Sequence, residues 1–201
     1  MVRAAAARVL GTEAQRMIHD PVLLVRRAAA WPLIDKLVKD TKAASVVEEM
    51  RSIAEHQADQ PTGAMQLAVL AEAEGNAAEA ERQYKRAISL DPAAYVAYMD
   101  YAVFLARHNR PTDALQQMLH CTRVAPQNAE AFYRLGLILA EVQQYGYAVS
   151  ALDKALQLSP THHRARHNKA LILFHLGRTD EARREQELLR ALQNPPTPQA
   201  P

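Results

Sequence analysis

Cysteine, glycine and aromatic residues are scarce in this chain. Cys121 is the single cysteine among 201 residues, so the chain forms no internal disulfide and the sequence assigns no redox compartment. There are only 6 glycines, and aromatic residues make up 5% of the chain, whereas hydrophobic residues make up 49%. Alanine, the strongest helix former, supplies much of that hydrophobic fraction. The composition therefore favours closely packed helices over a β-sheet.

A strong charge of either sign and long apolar runs are missing too. The formal net charge is only +2, so we expect no nucleic-acid partner. No uninterrupted apolar stretch approaches the roughly 18 residues that a membrane-spanning helix needs. The N-terminal segment MVRAAAARVL has Arg8 where a signal peptide has its apolar core. We therefore expect no membrane insertion, and no export or anchoring by this chain itself.

Motifs for catalysis and for metal binding are absent from the sequence. There is no glycine-rich phosphate loop and no zinc motif of recognised spacing. His120 and Cys121 are adjacent, so on a helix their side chains diverge by about 100° and form no nucleophile–base pair. His163 and His167 have the i, i+4 spacing of a chelating pair, but a pair leaves a zinc site two ligands short. We predict no enzymatic activity, no metal site and no cofactor.

A period of 34 residues runs through the last two thirds of the chain. It connects a series of prolines: Pro92, Pro126 and Pro160. It also connects a series of alanines: Ala80, Ala114, Ala148 and Ala182. A third series contains turn-like positions: Gly75, Asn109, Gln143 and Gly177. Each unit holds two runs of helical period separated by a short breaker, so each unit is predicted to be a helical hairpin.

Within residues 129–162, apolar residues recur at helical spacing. The first helix of this unit is predicted to bury Phe132, Leu135, Gly136 and Leu139. The second helix is predicted to bury Ala148, Leu152 and Ala155. The equivalent sets in the two earlier units are Ala80, Tyr84 and Ala87, and Ala114, Met118 and Cys121. Cys121 is therefore interpreted as a small buried residue rather than a nucleophile.

This pattern closely resembles the tetratricopeptide repeat (TPR) family, a 34-residue helix-turn-helix with L-G, A, a large residue, A and a terminal P at matching offsets. The resemblance covers residues 61–194 as four repeats: 61–94, 95–128, 129–162 and 163–194. It implies an all-α fold, a right-handed α-solenoid of TPR hairpins. The fourth repeat departs from the pattern at Arg166 and Lys169, which replace apolar residues on a buried register. We interpret these replacements as the end of the array, where no neighbour covers the hairpin.

The residues on either side of the repeats also carry patterns. Residues 41–60 place apolar side chains along one helical stripe, which predicts a helix that caps the first repeat. In residues 1–40, VRAAAARVLG and DPVLLVRRAAAWPL share a V-R-x-A-A pattern, and Asp20-Pro21 is a helix-start signal. These two segments resemble degenerate HEAT repeats. Residues 195–201 are rich in proline, which predicts an extended, disordered tail.

HEAT-like helices followed by TPRs resemble the C-terminal region of certain bacterial multihaem c-type cytochromes. The chain contains no C-x-x-C-H motif, so it attaches no haem covalently. The resemblance implies an alternative function, the non-redox tail of an electron-transfer protein that organises a homo-oligomer or docks a redox partner. The compartment follows from this choice: cytoplasmic for a complete chain, and periplasmic for a cytochrome tail.

In TPR proteins, the first helices of successive repeats line a concave groove that binds a peptide or a helix of a partner protein. The resemblance places the following residues of this chain in that groove: Met65, Val69, Met99, Val103, Arg107, Tyr133, Arg134, Leu137, His167, Asn168 and Leu171. Most of them are apolar, which suits an amphipathic helix or an apolar peptide. Two interpretations stay open for this stripe, a groove for a partner or packing inside a tight superhelix. We predict a non-catalytic scaffold or adaptor, and the weak charge disfavours RNA binding.

Overall fold

The structure, a computed structural model, describes residues 30–193. Most of the HEAT-like segment, residues 1–29, and the proline-rich tail 195–201 lie outside the described residues. Two short 3-10 turns, Trp31–Leu33 and Thr41–Ala43, precede the longer helices. The α-helices in chain order are α1 (Ile34–Leu37), α2 (Ala44–His56), α3 (Pro61–Ala73), α4 (Ala77–Leu90), α5 (Tyr95–Arg107), α6 (Pro111–Val124), α7 (Ala129–Glu141), α8 (Tyr145–Leu158), α9 (His163–His175) and α10 (Thr179–Gln193). No strand occurs between residues 30 and 193, and the predicted all-α fold is confirmed.

The described residues divide into two compact units, with the boundary between Pro92 and Ala93. In the first unit, α3 and α4 form a hairpin, α2 packs against α3, and α1 contacts both α2 and α3. The buried core of this hairpin and of α2 includes Met50, Ala54, Ala64, Ala68, Leu70, Tyr84 and Ala87. The helix predicted within residues 41–60 is α2, and it lies against the first helix of the first repeat.

The contact between α2 and α3 is closest at Gly63. A Cβ atom built on this glycine would lie 2.0 Å from the backbone oxygen of Gln57 and 2.9 Å from that of Ala54. Backbone atoms at the end of α2 cannot move aside as a flexible side chain does. The two helices therefore approach so closely that only glycine fits, although the equivalent positions of the other repeats carry alanine: Ala97, Ala131 and Ala165.

The second unit consists of three hairpins stacked in sequence order. The hairpins are α5–α6, α7–α8 and α9–α10, and α6 packs on α7 as α8 packs on α9. The first helices of neighbouring hairpins, α5, α7 and α9, also contact one another in that order. Each module buries part of its apolar face against the next, which is the arrangement of an α-solenoid. The second helices bury the predicted residues Ala114, Met118, Cys121, Ala148, Leu152 and Ala155 completely.

Repeat boundaries follow from backbone preferences at two kinds of position. The second helices α4, α6 and α8 end at Leu90, Val124 and Leu158, each two residues before a proline. Proline disfavours helical geometry in the residue before it and has no amide hydrogen, so the helix stops. Between the two helices of each hairpin, one residue has a positive φ: Gly75 (80°), Asn109 (58°), Gln143 (61°) and Gly177 (73°). Glycine and asparagine adopt this left-handed conformation at low cost, and it reverses the chain after the first helix.

The structure covers the side chains of Arg166 and Lys169 in the fourth hairpin, contrary to our interpretation of them as uncovered. Both side chains are about one-eighth exposed and converge on Glu185 of α10, at 2.7 Å from Arg166 Nη1 and 2.5 Å from Lys169 Nζ. Lys169 also contacts Asp153 Oδ1 of α8 at 2.6 Å. Burial by itself lowers the pKa of Lys169, but the hydrogen bonds to Asp153 and Glu185 outweigh this effect and the pKa is raised. A covered network of ion pairs therefore replaces the apolar contacts of the earlier repeats.

Candidate functional site

In the second unit, the predicted groove residues lie on the first helices α5, α7 and α9. Val103, Leu137 and Leu171 hold equivalent positions on these three helices, which contact one another in sequence order. Leu137 is 36% exposed and Leu171 is 50% exposed, while Val103 and the preceding Met99 are half-buried. The name first-helix face is used here for the row Val103, Leu137 and Leu171, whose exposure increases from α5 towards α9.

Tyr133 belongs to the predicted site, but its own chain covers it. The side chain is 2% exposed, with the ring centroid 4.7 Å from that of His162 and 4.9 Å from the guanidinium of Arg164. Its hydroxyl accepts a hydrogen bond of 3.1 Å from Asn168 Nδ2. Tyr133 and Asn168 therefore join α7 to α9, and this contact holds two of the predicted site residues in place.

His162 fixes the same contact from the start of α9. Its Nδ1 accepts a hydrogen bond of 3.1 Å from the backbone N–H of Ala165, so this nitrogen caps the helix. The other ring nitrogen, Nε2, carries the proton and lies 3.3 Å from Glu130 Oε2. Arg134 Nε donates to Glu130 Oε1 at 2.8 Å within α7. The predicted site residue Arg134 is therefore engaged in an ion pair. Arg107, at the end of α5, is an exposed residue.

A basic cavity lies at the α9 end of the first-helix face. Its volume is about 330 Å³, and its walls come from α9 and α10. The lining includes His163, Arg164, His167, Asn168 and Leu189. The two predicted residues His167 and Asn168 therefore share a concave surface with two further basic side chains. Imidazole and guanidinium groups in this arrangement favour an acidic or polar group of a bound chain.

Two predicted groove residues, Met65 and Val69, belong to the first unit. Both lie on α3, where Val69 is 8% exposed and Met65 is half-buried. They hold the same positions in their repeat as Met99 and Val103, which come one period later in the sequence. In this unit the predicted stripe is therefore mostly covered.

The histidine pair does not belong to a larger ligand cluster. Between residues 30 and 193, no three or more His, Cys, Asp or Glu side chains come together in a group that could hold a metal ion. None of the described helices combines the length and apolarity needed to cross a bilayer.

Cys121 is completely buried and stays protonated. Its Sγ lies 3.4 Å from the backbone oxygen of Tyr95, which accepts from the thiol. Burial raises the pKa of the thiol from 9.0 to about 11, with a smaller lowering by Arg134 and a smaller raising by Asp100. The thiolate is the reactive form, so this residue supplies no nucleophile at neutral pH.

We expect Cys121 to react slowly with iodoacetamide in the folded protein. Two pKa units lower the thiolate fraction about 100-fold at pH 8, so alkylation should be at least about 100-fold slower than in urea. Mass spectrometry of the alkylated chain measures both rates. The folded thiol ionises at higher pH than the unfolded thiol, so its contribution to stability is present below pH 9 and is lost towards pH 11. Rapid labelling of the folded chain would contradict this burial.

Sequence reasoning missed an apolar cavity in the second unit. The cavity has a volume of about 350 Å³ and lies among α6, α7 and α8. Its apolar lining includes Leu115, Leu119, Phe132, Leu135, Leu139 and Tyr147. Phe132, predicted to be buried, is therefore only half-buried, and Tyr147 is 71% exposed. The available signal was Tyr147 itself, an aromatic residue where the other repeats carry a carboxylate: Glu79, Asp113 and Glu181.

Solved structures with the same fold include several of MamA. One of these, MamA from residue 41 to the end from Desulfovibrio magneticus RS-1, is 18% identical, with a TM-score of 0.67 over 93% of this chain and 94% of that chain. Another MamA crystal structure is 15% identical, with a TM-score of 0.64 over 86% of this chain and 98% of that chain. At these identities the likeness establishes the fold alone.

Two curated relatives match parts of the chain. The human protein O-mannosyl-transferase TMTC3 is 30% identical over 100 residues, 49% of this chain and 11% of the relative. The Giardia intestinalis UDP-N-acetylglucosamine–peptide N-acetylglucosaminyltransferase is 33% identical over 82 residues, 41% of this chain and 6% of the relative. The chain thus spans about a tenth or less of the length of these relatives.

Two family models with the description tetratricopeptide repeat match the chain, at residues 65–119 and 139–199. Together they cover more than half of it, and they include parts of both helical units. With the 34-residue period and the stacked hairpins, these matches show that the chain belongs to the tetratricopeptide repeat family.

Proposed function

We propose that this chain is a non-catalytic protein-interaction scaffold that binds a peptide or an amphipathic helix of a partner along the first-helix face. The observation that carries the proposal is the row formed by Val103, Leu137 and Leu171 on three helices in contact. Leu137 and Leu171 are exposed although they are large and apolar. A partner that removes these side chains from water gains about 25 cal/mol for each Å² of apolar surface that becomes buried.

The basic cavity adds a preference for the composition of the bound chain. His163, Arg164 and His167 lie at one end of the row, so a peptide with apolar residues and an acidic residue near one end suits the face. The two curated relatives are named as transferases, but this chain matches a small part of each. The protonated, buried thiol of Cys121 also favours a binding function over a nucleophilic one.

Peptides selected from a random phage-displayed library on the immobilised chain test this proposal. The double variant Leu137→Glu with Leu171→Glu should weaken binding of the selected peptides about tenfold or more, because it puts two carboxylates into an apolar contact. Isothermal titration calorimetry with synthetic copies of the peptides measures the change. Both leucines are exposed, so circular dichroism should show unchanged helix content.

The apolar cavity supplies the matched control. Leu119→Glu with Tyr147→Glu also introduces two carboxylates at exposed apolar positions, but on α6 and α8. These substitutions should leave the affinity of the selected peptides unchanged. Loss of affinity in this control alone would reject the first-helix face as the binding surface. Failure to select any peptide that responds to the Leu137 and Leu171 substitutions would reject it as well.

A further inference from the structure

The apolar cavity among α6, α7 and α8 lies on the other side of α7 from the first-helix face. Its lining includes Leu135 and Leu139, each two residues from Leu137, and two residues turn about 200° around a helix. These two leucines therefore point away from the first-helix face. The volume of about 350 Å³ lies within the range of small-ligand sites, about 300–1,000 Å³. The cavity is thus a separate candidate for ligand binding.

Ala151 is the reason that this cavity is open. It is the smallest residue of the lining. The equivalent positions of the other repeats carry longer polar side chains: Gln83, Gln117 and Glu185. In the neighbouring groove among α8, α9 and α10, Glu185 fills that position and pairs with Arg166 and Lys169. No such side chain projects from Ala151, so an apolar cavity takes the place of the ion-pair network.

Lys154 carries the only formal charge of the lining. Its side chain is half-buried on α8, and Nζ donates a hydrogen bond of 3.0 Å to Gln157 Oε1. The carboxylate of the preceding residue, Asp153, contacts Lys169 instead. Within the described part of the chain, no carboxylate forms an ion pair with Lys154. An ammonium group beside an apolar cavity suits a ligand that joins an apolar body to a negatively charged end.

The lining favours an alkyl chain over a peptide backbone. Its polar side chains are few: Gln144, Ser150 and Lys154. The Ser150 hydroxyl already donates to the backbone oxygen of Gly146 at 3.2 Å. A polypeptide in the cavity would bury backbone N–H and C=O groups that need partners, whereas an alkyl chain has none. Tyr147 and Lys154 are seven residues apart on α8, about 10 Å along the helix axis, so the groove is elongated.

We propose that this cavity binds a medium-chain alkyl carboxylate, a fatty acid, with its carboxylate at Lys154 Nζ. The alkyl chain lies between α6 and α8 and covers the apolar side chains of Leu119, Phe132 and Tyr147. Removing these side chains and the alkyl chain from water drives binding, and the ion pair with Lys154 fixes the direction of the ligand. The site differs from the first-helix face in its helices, its side of α7 and its ligand, and it does not depend on a protein partner.

Nuclear magnetic resonance titrations of the full chain test the proposal with octanoate, butanoate and octylammonium. Octanoate should shift the backbone amides of α8 between Tyr147 and Lys154, with a Kd of about 1 mM or lower. Butanoate has a shorter apolar chain, and octylammonium brings a second cation to Lys154, so each should bind at least about tenfold more weakly. Absence of shifts with octanoate would overturn the proposal. Equal affinity for octanoate and octylammonium would overturn it too, because the cavity would then bind alkyl chains without regard to charge.

Two substitutions locate the ligand. Ala151→Gln installs the residue that Gln83 and Gln117 represent in the first two repeats, and its side chain should fill the cavity. Lys154→Gln removes the cation at the end of the cavity. Each should weaken octanoate binding at least about tenfold, with helix content by circular dichroism unchanged. Unchanged affinity in Ala151→Gln would reject the cavity, and unchanged affinity in Lys154→Gln would reject the ion pair.

Lys85→Gln is the matched control for the loss of charge. Lys85 is an exposed lysine on α4 in the first unit, where its Nζ contacts Glu81 at 2.8 Å. The substitution removes the same charge from the chain but not from the cavity, so octanoate should bind as tightly as before. An equal loss of affinity in Lys85→Gln and Lys154→Gln would show a general effect of net charge and would reject the site at Lys154.

The outcome is separable from that of the first-helix face. Leu137→Glu with Leu171→Glu should leave octanoate binding unchanged, because both leucines lie outside the lining of the cavity. If the selected peptides bind the first-helix face but octanoate shifts no amide of α8, the scaffold function stands and the alkyl carboxylate site is wrong.

Discussion

Replacing Gly63 by alanine is expected to destabilise the first unit by about 3 kcal/mol, the upper part of the usual range for overpacking. The added methyl group would lie 2.0 Å from the backbone oxygen of Gln57, so α3 has to move away from the end of α2. Trp31, the only tryptophan of the chain, belongs to the first unit. Urea unfolding followed by its fluorescence should therefore show a lower midpoint, and hydrogen exchange should be faster in α2 and α3.

Gly146→Ala is the matched control for this substitution. Gly146 is also helical, near the start of α8, but nothing lies within 4 Å of a Cβ built there. Alanine restricts the unfolded chain more than glycine does, so this variant should be more stable by about 0.5 kcal/mol. Gly136→Ala should fall between the two, because its methyl group would meet the Leu152 side chain at 2.7 Å. If Gly63→Ala and Gly146→Ala had equal effects, the close contact between α2 and α3 would be wrong.

Glu185→Ala is expected to destabilise the last hairpin by about 2 kcal/mol. The substitution removes the carboxylate that joins Arg166 to Lys169, and both cations are then left largely covered by protein. Removing one partner of a fully buried pair costs about 3–5 kcal/mol, and the remaining exposure of these side chains together with Asp153 reduces that cost. Thermal unfolding by circular dichroism and hydrogen exchange in α9 and α10 measure the change.

A triple variant separates the network from the packing around it. Arg166→Phe, Lys169→Leu and Glu185→Ala install the residues that the preceding repeat carries at the same register: Phe132, Leu135 and Ala151. Replacing a whole buried network by apolar residues is often neutral or stabilising, so this variant should be at least as stable as the original chain. A triple variant less stable than Glu185→Ala would contradict this account of the hairpin.

The stability of the triple variant should also depend on pH differently from that of the original chain. The pKa of Lys169 in the folded chain lies above its ordinary value of 10.5. Its contribution to stability is therefore present below pH 10.5 and is lost as the pH rises through the folded pKa. The original chain should lose stability relative to the triple variant above pH 10.5, while Cys121 titrates equally in both.

The 34-residue period allowed the helical hairpins to be predicted, because residues buried between helices must be small or apolar at fixed spacing. Ala114, Met118 and Cys121 illustrate this, since all three are predicted and completely buried. The prolines at 92, 126 and 160 were equally informative, since their effect on the preceding residue is local. The predicted groove is a different case. Val103, Leu137 and Leu171 remain a prediction as a binding surface, although the structure places them on helices in contact.

Charged residues on a buried register were misjudged for a physical reason. Arg166 and Lys169 have the same spacing as the apolar residues of the other repeats, and spacing does not show whether a partner charge is near. Their partners Glu185 and Asp153 are 16 to 19 residues away in the sequence, on other helices. The covered state of Tyr133 depends in the same way on Asn168, which is 35 residues away.

The sequence by itself determined the repeat, the hairpin, the positions of the helix ends and the small residues of the core, because these depend on local backbone preference and on periodic burial. Only the tertiary structure decided which polar atoms find partners. It paired Arg166 and Lys169 with Glu185, left Gln83 Oε1 without a donor, and opened a cavity beside Tyr147. These outcomes depend on distances between helices that are far apart in the chain, and a periodic pattern does not specify such distances.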